Sequence, residues 1–278
     1  MANDQVSIRP PEYALGHSAR ELERLSAQAR ALDPLTRQFF SDAGIAPGMR
    51  VLDIGTGTGD VAFLAAEMVG VTGEVIGIDK APAPLAVARA RAEARSLRNV
   101  SFREGDPTEV AFDHPFDAVV GRLILMYYAD PAAALRKLAS HLRRGGMLVF
   151  HEADWDGVRS FPPSPTYDRC CQLFIETFRL LGTETRMGIK LHSAFLAAGL
   201  PAPSMRLHAI VGGSAGGLDW LQVVAELIGT LLPEMERLGV ATSSEIGMET
   251  LAHRLCAELT ASGGAIVAPS VIGAWSSV

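Results

Sequence analysis

Between residues 50 and 154 the chain repeats one pattern. A short apolar or β-branched run comes first, then a turn rich in glycine or acid, then an alanine- and leucine-rich stretch at helical spacing. MRVLDIG (49–55) reads as the first strand and DVAFLAAEMVG as the helix after it. GEVIGID (73–79), NVSFREGD (99–106), FDAVVGR (116–122) and MLVFHEAD (147–154) read as four more strands. Helices fall over 81–95 and over 130–146, where Asp130 caps, Pro131 opens and Gly145-Gly146 end the helix. Strands separated by helices pair in parallel, and a parallel sheet is covered on both faces. The right-handed crossover rule leaves few topologies.

The flanks depart from this rhythm. Ser18 and Glu21 fit a capping box ahead of Leu22, Leu25, Ala29 and Leu32, and Asp33-Pro34 reads as the start of a second short helix. After the proline-rich break GVRSFPPSPTYD (157–168), helices are expected at 166–182 and 190–198, and a strand at 204–211. Two helical stretches follow within 217–262, then a last strand at 265–275, for seven strands in all. The helices at 166–182 and 217–262 exceed what a minimal α/β core needs. They read as a lid over a site, with core thickening or a homodimer face as the alternatives.

Net charge is -6 and the isoelectric point is near 5.7, so the chain lacks the electrostatic footprint of a nucleic-acid binder. The densest basic stretch, RKLASHLRRGG, reads as the basic end of a helix. Cys170, Cys171 and Cys256 have no metal-ligand or disulfide spacing. No apolar run approaches a membrane span and no signal organisation opens the chain, so a soluble cytoplasmic protein is expected, without a membrane partner.

VLDIGTGTGD (51–60) carries the chemistry. Ligands of open α/β sheets lie beyond the carboxyl ends of the strands, and Gly55, Gly57 and Gly59 lie beyond the first one. A dinucleotide fingerprint needs a further glycine where Asp60 stands, and that carboxylate repels a pyrophosphate at the helix start. No Gly-Lys-Ser/Thr follows, so a phosphate-gripping loop is excluded too. Asp53 and Asp60 suit a ligand with a cationic part. Asp79, ending the second strand, can accept two ribose hydroxyls, and Asp106, after the third, can accept an exocyclic amine. The ligand that fits is a nucleoside without phosphates and with a charged tail.

VLDIGTGTGD, VIGIDKA, FREGDPTEV, FDAVVGRLILMYYADP and LRRGGMLVFHEAD together resemble the successive motifs of the class I S-adenosylmethionine-dependent methyltransferases, over roughly residues 47–156. The resemblance implies a Rossmann-like α/β fold and S-adenosylmethionine as cofactor, with S-adenosylhomocysteine as product. It implies that Gly55, Gly57 and Gly59, with Asp53, face the methionine part, and that Asp79 with Lys80 holds the ribose. Asp106 would meet the adenine with Pro107 beside the ring, and Arg122 and Leu123 would pack near the methyl group. EYALGHSARELERLSAQ resembles the leading helix of bacterial small-molecule methyltransferases, where Tyr13 would approach from the lid side. The chain then divides into a helical cap (1–44), a cofactor-binding core (45–156), and a segment completing the sheet with substrate-covering helices (157–278).

A sulfonium methyl is already electrophilic, so the enzyme mainly needs alignment and a dry pocket. An oxygen or nitrogen acceptor that starts protonated also needs a base. Glu152 and His151, near the end of the fifth strand, are the candidates, and alternation along a strand puts only one of them toward a cavity. Tyr127, Tyr128, His192 and Trp220 are candidate substrate walls, and His208 reads as structural. His151, Glu152, Asp154 and Asp156 invite a metal reading, but no metal is expected. The expected acceptor is a small, partly apolar metabolite. A nicotinamide-dependent oxidoreductase and a non-enzymatic cofactor-binding module are the competing readings.

Overall fold

The computed structural model describes residues 19–213 and 218–278. Tyr13 and the Ser18 half of the proposed capping box lie outside them. Strands β1 (Arg50–Ile54), β2 (Glu74–Asp79), β3 (Val100–Glu104), β4 (Phe116–Arg122) and β5 (Leu142–Asp154) alternate with helices α2 (Asp60–Val69), α3 (Pro82–Ala94) and α4 (Pro131–Ala139). A long helix, α1 (Ala19–Asp42), precedes them. Beyond β5 come β6 (Arg159–Phe161), α5 (Pro165–Leu180), α6 (Met187–Ala197), β7 (Ser204–His208) and β8 (Val211–Gly213). The chain ends with α7 (Leu218–Leu238), α8 (Ser243–Ile246), α9 (Leu251–Ser262), β9 (Ala265–Val267) and β10 (Ser270–Ser277).

The main sheet has seven strands in the order β3-β2-β1-β4-β5-β10-β7. The first five are parallel to one another, and β10 runs antiparallel to both its neighbours. This is the mostly parallel seven-stranded Rossmann-like sheet that the sequence implies. The strand order reverses at β1, so β1 and β4 open a crevice at their carboxyl ends.

Alternation along the strands sorts the core into two layers. Leu52, Ile54, Val119, Leu148 and Phe150 face the layer that holds buried residues of α4, α5, α6, α7 and α9. Val51, Val75, Ala118, Val120 and Val149 face α2 and the end of α1. The apolar stripe of 217–262 points inward as well: Leu221, Val224, Ile228, Leu231, Leu255 and Leu259 are buried in the first layer. That stripe is accounted for within one chain, and the reason given for a dimer face goes with it.

Three boundaries differ from expectation. The two short N-terminal helices are one, with Pro34 inside α1. Buried Leu32 and Phe39 anchor the helix on either side of the proline, and the Thr36 hydroxyl donates to the Leu32 carbonyl at 3.1 Å. Packing thus overrides the local break signal. Helix α4 stops at Ala139, and LRRGG belongs to β5. Phe116 pairs with Leu142 and Ala118 with Met147, so Arg143–Gly146 bulge outward, and only Arg136 and Lys137 sit at the helix end. Lastly, the strands expected at 204–211 and 265–275 each break in two. Short segments β6, β9 and β8 form a second, antiparallel sheet that repeats the order of β5, β10 and β7. Pro269, which has no N–H to donate, lies at the break between β9 and β10, while Ala268 N–H still bonds the Ile210 carbonyl at 2.9 Å.

Candidate cofactor site at the strand switch point

The turn after β1 is built from left-handed backbone: Gly55, Gly57 and Gly59 have φ of 62°, 52° and 87°. L-residues with a side chain adopt such angles at a cost, so glycine is the economical choice. The three glycines differ in what surrounds them. A Cβ on Gly55 would lie 2.4 Å from Ile124 Cδ1, and one on Gly59 would lie 2.9 Å from the Phe102 ring. A Cβ on Gly57 would meet nothing within 4 Å. Two glycines therefore admit neighbouring side chains, and the middle one opens its backbone to space.

Carboxylates ring that opening. Asp79 Oδ2 accepts the Gly57 N–H at 2.9 Å, and Oδ1 accepts the Ala81 N–H at 2.9 Å. Each oxygen has two lone pairs, so a site for a ligand hydroxyl remains on both. Asp53 is buried and accepts the Thr56 hydroxyl at 2.6 Å. Burial pushes its carboxyl up to about 7 against the pull of Thr56 and Arg122, with Asp79 and Asp60 adding repulsion. A cationic group arriving at the turn would reverse that balance.

Asp60 bonds Arg91 of α3 and the Thr58 hydroxyl, each at 2.7 Å. Burial acts to raise its pKa, but these partners outweigh it and hold the group below the usual carboxylate range. It is therefore ionised, as the argument against a pyrophosphate requires, and it also ties α2 to α3.

Lys80 Nζ bridges to Asp106 Oδ2 at 2.8 Å and lies 5.8 Å from the centroid of the Tyr128 ring. Asp106 Oδ1 accepts the Thr108 N–H and hydroxyl, so Lys80 and Thr108 outweigh burial and keep it ionised. Burial, with Asp106 and Asp79 nearby, pushes the Tyr128 hydroxyl well above its ordinary range. Pro107 is buried, and its carbonyl accepts from His141 Nε2 at 2.7 Å. Asp79, Lys80, Asp106 and Tyr128 thus gather on one flank of the opening.

At the end of β4, Arg122 Nη1 donates to Asp33 Oδ1 at 2.9 Å and to Thr36 Oγ1 at 3.1 Å. Asp33 was read from the sequence as a helix cap; instead it reaches across to β4. Thr36 has a single proton, which goes to Leu32, so its oxygen must accept from both Arg122 and His151 Nε2 (3.0 Å). His151 is accordingly the Nε2–H tautomer. It is wholly buried between Phe39 and Phe40 of α1, with Nδ1 unpartnered among the described residues. Burial and the Arg122 charge hold it well below its ordinary pKa, neutral.

Glu152 points to the opposite face, as strand alternation requires, and is also wholly buried. Its Oε1 accepts the N–H groups of Ile124 (2.9 Å) and Leu125 (2.8 Å). Burial pushes its carboxyl up to about 7, against these backbone donors. Neither candidate base opens onto the crevice: His151 sits under α1 and Glu152 under the loop after β4. Leu123 takes φ 53° and donates its N–H to the His151 carbonyl at 3.0 Å, which bends the chain into that loop.

The substrate-wall candidates are scattered. Tyr127 is half-buried in the turn after β4, and Trp220 is half-buried on α7. His192 is exposed on α6, whose inward residues Leu191, Ala194 and Phe195 are buried, so helix periodicity turns it away from the core. Phe39 also stacks edge-on against His208, consistent with a structural histidine. Among the described residues no group of three or more His, Cys, Asp or Glu could hold a metal ion. Asp156 pairs with Arg186, and Asp154 accepts the Asp156 N–H. A cavity of ≈ 340 Å³ lies elsewhere, between α5, α8 and α9, lined by Arg169, Cys170, Glu245 and Arg254.

The strand switch point thus joins bare glycine backbone at Gly57 to carboxylates with free lone pairs, an arrangement chemically able to take hydroxyl donors and a cation. Comparison with known proteins agrees. Residues 45–179 match the model of a methyltransferase-domain family. Aklanonic acid methyltransferase DauC of a Streptomyces species is 36% identical over 138 residues, covering 49% of this chain and 62% of that protein. Demethylmenaquinone methyltransferase of Thermus thermophilus is 43% identical over 117 residues, 42% of this chain and 49% of that protein. Among solved structures, the [4+2]-cyclase SpnF superposes with a TM-score of 0.53 at 22% identity, over 90% of this chain and 82% of that one, a likeness of fold. Residues 45–179, just under half of the chain, thus carry a methyltransferase domain. The chain's match spans about half to three fifths of the curated relatives named above. S-adenosylmethionine is the cofactor that goes with the domain, and the spare lone pairs of Asp79 and the open backbone of Gly57 fit it.

Proposed function

We propose that this chain transfers a methyl group from S-adenosylmethionine to a small organic acceptor, at the carboxyl ends of β1, β2 and β4. The observation that carries the reading is Gly57: its backbone is bare on one side, and Asp79 holds its N–H on the other. Asp79 would take the ribose hydroxyls, and Asp106, Lys80 and Pro107 the adenine flank. Asp53 would face the cationic methionine end, and Leu123 would pack beside the reacting carbon. When bound, the cofactor supplies an electrophilic sulfonium methyl.

The protein's own contribution is then alignment and exclusion of water. Arg122, held by Asp33 and Thr36, fixes α1 over the end of β4. With His151 and Glu152 both buried away from the crevice, the reading favours an acceptor that ionises readily or gives its proton to water. Relatives named for an acid and for a quinone support an organic acceptor of that kind. Tyr127 and Trp220, half-buried, would wall it. Among the described residues no helix is long and apolar enough to cross a membrane. The three cysteines are free, which suits the cytoplasm.

Calorimetric titration with S-adenosylhomocysteine and, separately, with NADH tests the cofactor. Binding of the thioether and none of NADH is expected, and the reverse would sink the reading. Incubating metabolite fractions with labelled S-adenosylmethionine, followed by mass measurement, then identifies the acceptor. Cofactor binding with no methyl transfer to any fraction would favour a non-enzymatic module.

A further inference from the structure

Glu152 combines three properties seldom found together: complete burial, one oxygen shared by two backbone donors, and a second oxygen with no partner among the described residues. The donors belong to Ile124 and Leu125, at the start of the short helical turn Leu125–Tyr127. Such first-turn N–H groups have no partner within their own helix. Glu152 reaches them across the crossover from β5, so the loop after β4 is pinned from beneath.

The pinned residue has a particular seat. The Ile124 side chain fills the space that a Cβ on Gly55 would need, at 2.4 and 2.7 Å, and a Cβ on Gly121 would lie 2.8 Å from its Cγ2. Ile124 is thus keyed between β4 and the first glycine of the turn after β1. On the other side of it, Leu123 adopts φ 53°, a conformation that costs a branched aliphatic residue energy unless its neighbours are held. The chain of contact runs from Glu152 to the Ile124 backbone, from the Ile124 side chain to Gly55, and from Gly55 into the turn that bares Gly57.

We propose that Glu152 is a positioning residue for the cofactor: through Ile124 it sets the shape of the glycine turn, and it does so as a hydrogen-bond acceptor, not as a base. The inference rests on reading that turn as the cofactor's floor. What the position needs is an oxygen aimed at two N–H groups, which an amide supplies as well as a carboxyl. An alanine removes it and leaves both donors buried and unpaired.

The experiment is titration of S-adenosylhomocysteine into the wild-type chain and the variants E152Q, E152A and I124A, at a temperature well below each variant's melting point. E152Q is expected to bind within about twofold of wild type, with the same pH profile of affinity. E152A and I124A are expected to bind about tenfold or more weakly. The double variant should be no weaker than the weaker single, since both break one chain of contact. If E152A does not fold, I124A decides: wild-type affinity there overturns the proposal, and loss supports it. Loss of binding in E152Q, or wild-type binding in a folded E152A, also overturns it. Failure of the wild-type chain to bind S-adenosylhomocysteine would instead strike the functional reading.

Discussion

Replacing Asp53 by asparagine separates the two things this buried carboxyl does. The amide has the same shape and keeps an oxygen for the Thr56 hydroxyl, now 2.6 Å away, so the turn should stand. What disappears is a charge that burial penalises. In the folded chain the group titrates near 7, against an ordinary value of 3.8. The folded state therefore binds the proton more tightly than the unfolded one, and the ionised group weighs against folding as pH rises from about 4 to 7. Three pH units at ~1.4 kcal/mol each bound the effect at about 4 kcal/mol. Asp53→Asn should match wild type in urea denaturation near pH 4 and exceed it at pH 8, by an amount up to that bound.

Ligand binding should move in the opposite direction. If the cationic end of the cofactor meets Asp53, wild-type affinity for S-adenosylhomocysteine rises with pH up to about 7, by as much as tenfold per unit. Binding near pH 6 should release a fraction of a proton, measurable by calorimetry in two buffers of different ionisation heat. Asp53→Asn should flatten that profile and weaken binding at pH 8 by about 1.5–3 kcal/mol, the usual worth of a hydrogen bond to a charged group. A variant that is more stable at pH 8 yet binds as well as wild type, with the same pH profile, would refute the assignment of Asp53 to the cationic end.

Three further outcomes follow from the geometry. Gly57→Ala meets no atom within 4 Å and should cost about 1–2 kcal/mol in melting experiments for its φ of 52°, yet it should weaken S-adenosylhomocysteine at least tenfold because its methyl enters the open side. Gly55→Ala should be the more destabilising of the two, since its methyl runs into Ile124. His151 is buried neutral with its pKa held well below 6.5, so its contribution is intact above the unfolded value and is lost as pH falls below 6.5. His151→Gln should be less acid-sensitive than wild type between pH 6.5 and 4.5 by up to ~1.4 kcal/mol per unit; an identical acid slope would contradict a neutral buried imidazole.

The legible part of the molecule is the part in which local pattern and tertiary role coincide. Strands β1, β2 and β4 were readable because two buried faces demand continuous apolar runs. The turn was readable because only glycine relieves three left-handed residues in five. Asp79 announced itself by ending a strand beside that turn, and its Oδ2 accepts the Gly57 N–H there. Where a residue's partner lies far along the chain, the pattern misleads. Asp33-Pro34 has the form of a cap, but Asp33 spends its charge on Arg122, 89 positions away. LRRGG has the form of a helix end, but the edge of β4 recruits it as a bulged strand.

The strand–helix rhythm alone determined the layered α/β sheet, and the acids around the glycines alone supplied the case for a phosphate-free nucleoside with a cationic end. Both are consequences of local chemistry: backbone sterics, periodicity of burial, and charge at the end of a strand. Which side of β5 each candidate base faces, and what it meets there, was decided only by packing. His151 went under α1 to Thr36, and Glu152 went under the loop after β4 to Ile124 and Leu125. Two adjacent letters, each plausible as a base, became two buried struts because α1 on one face of the sheet and the loop after β4 on the other closed over them.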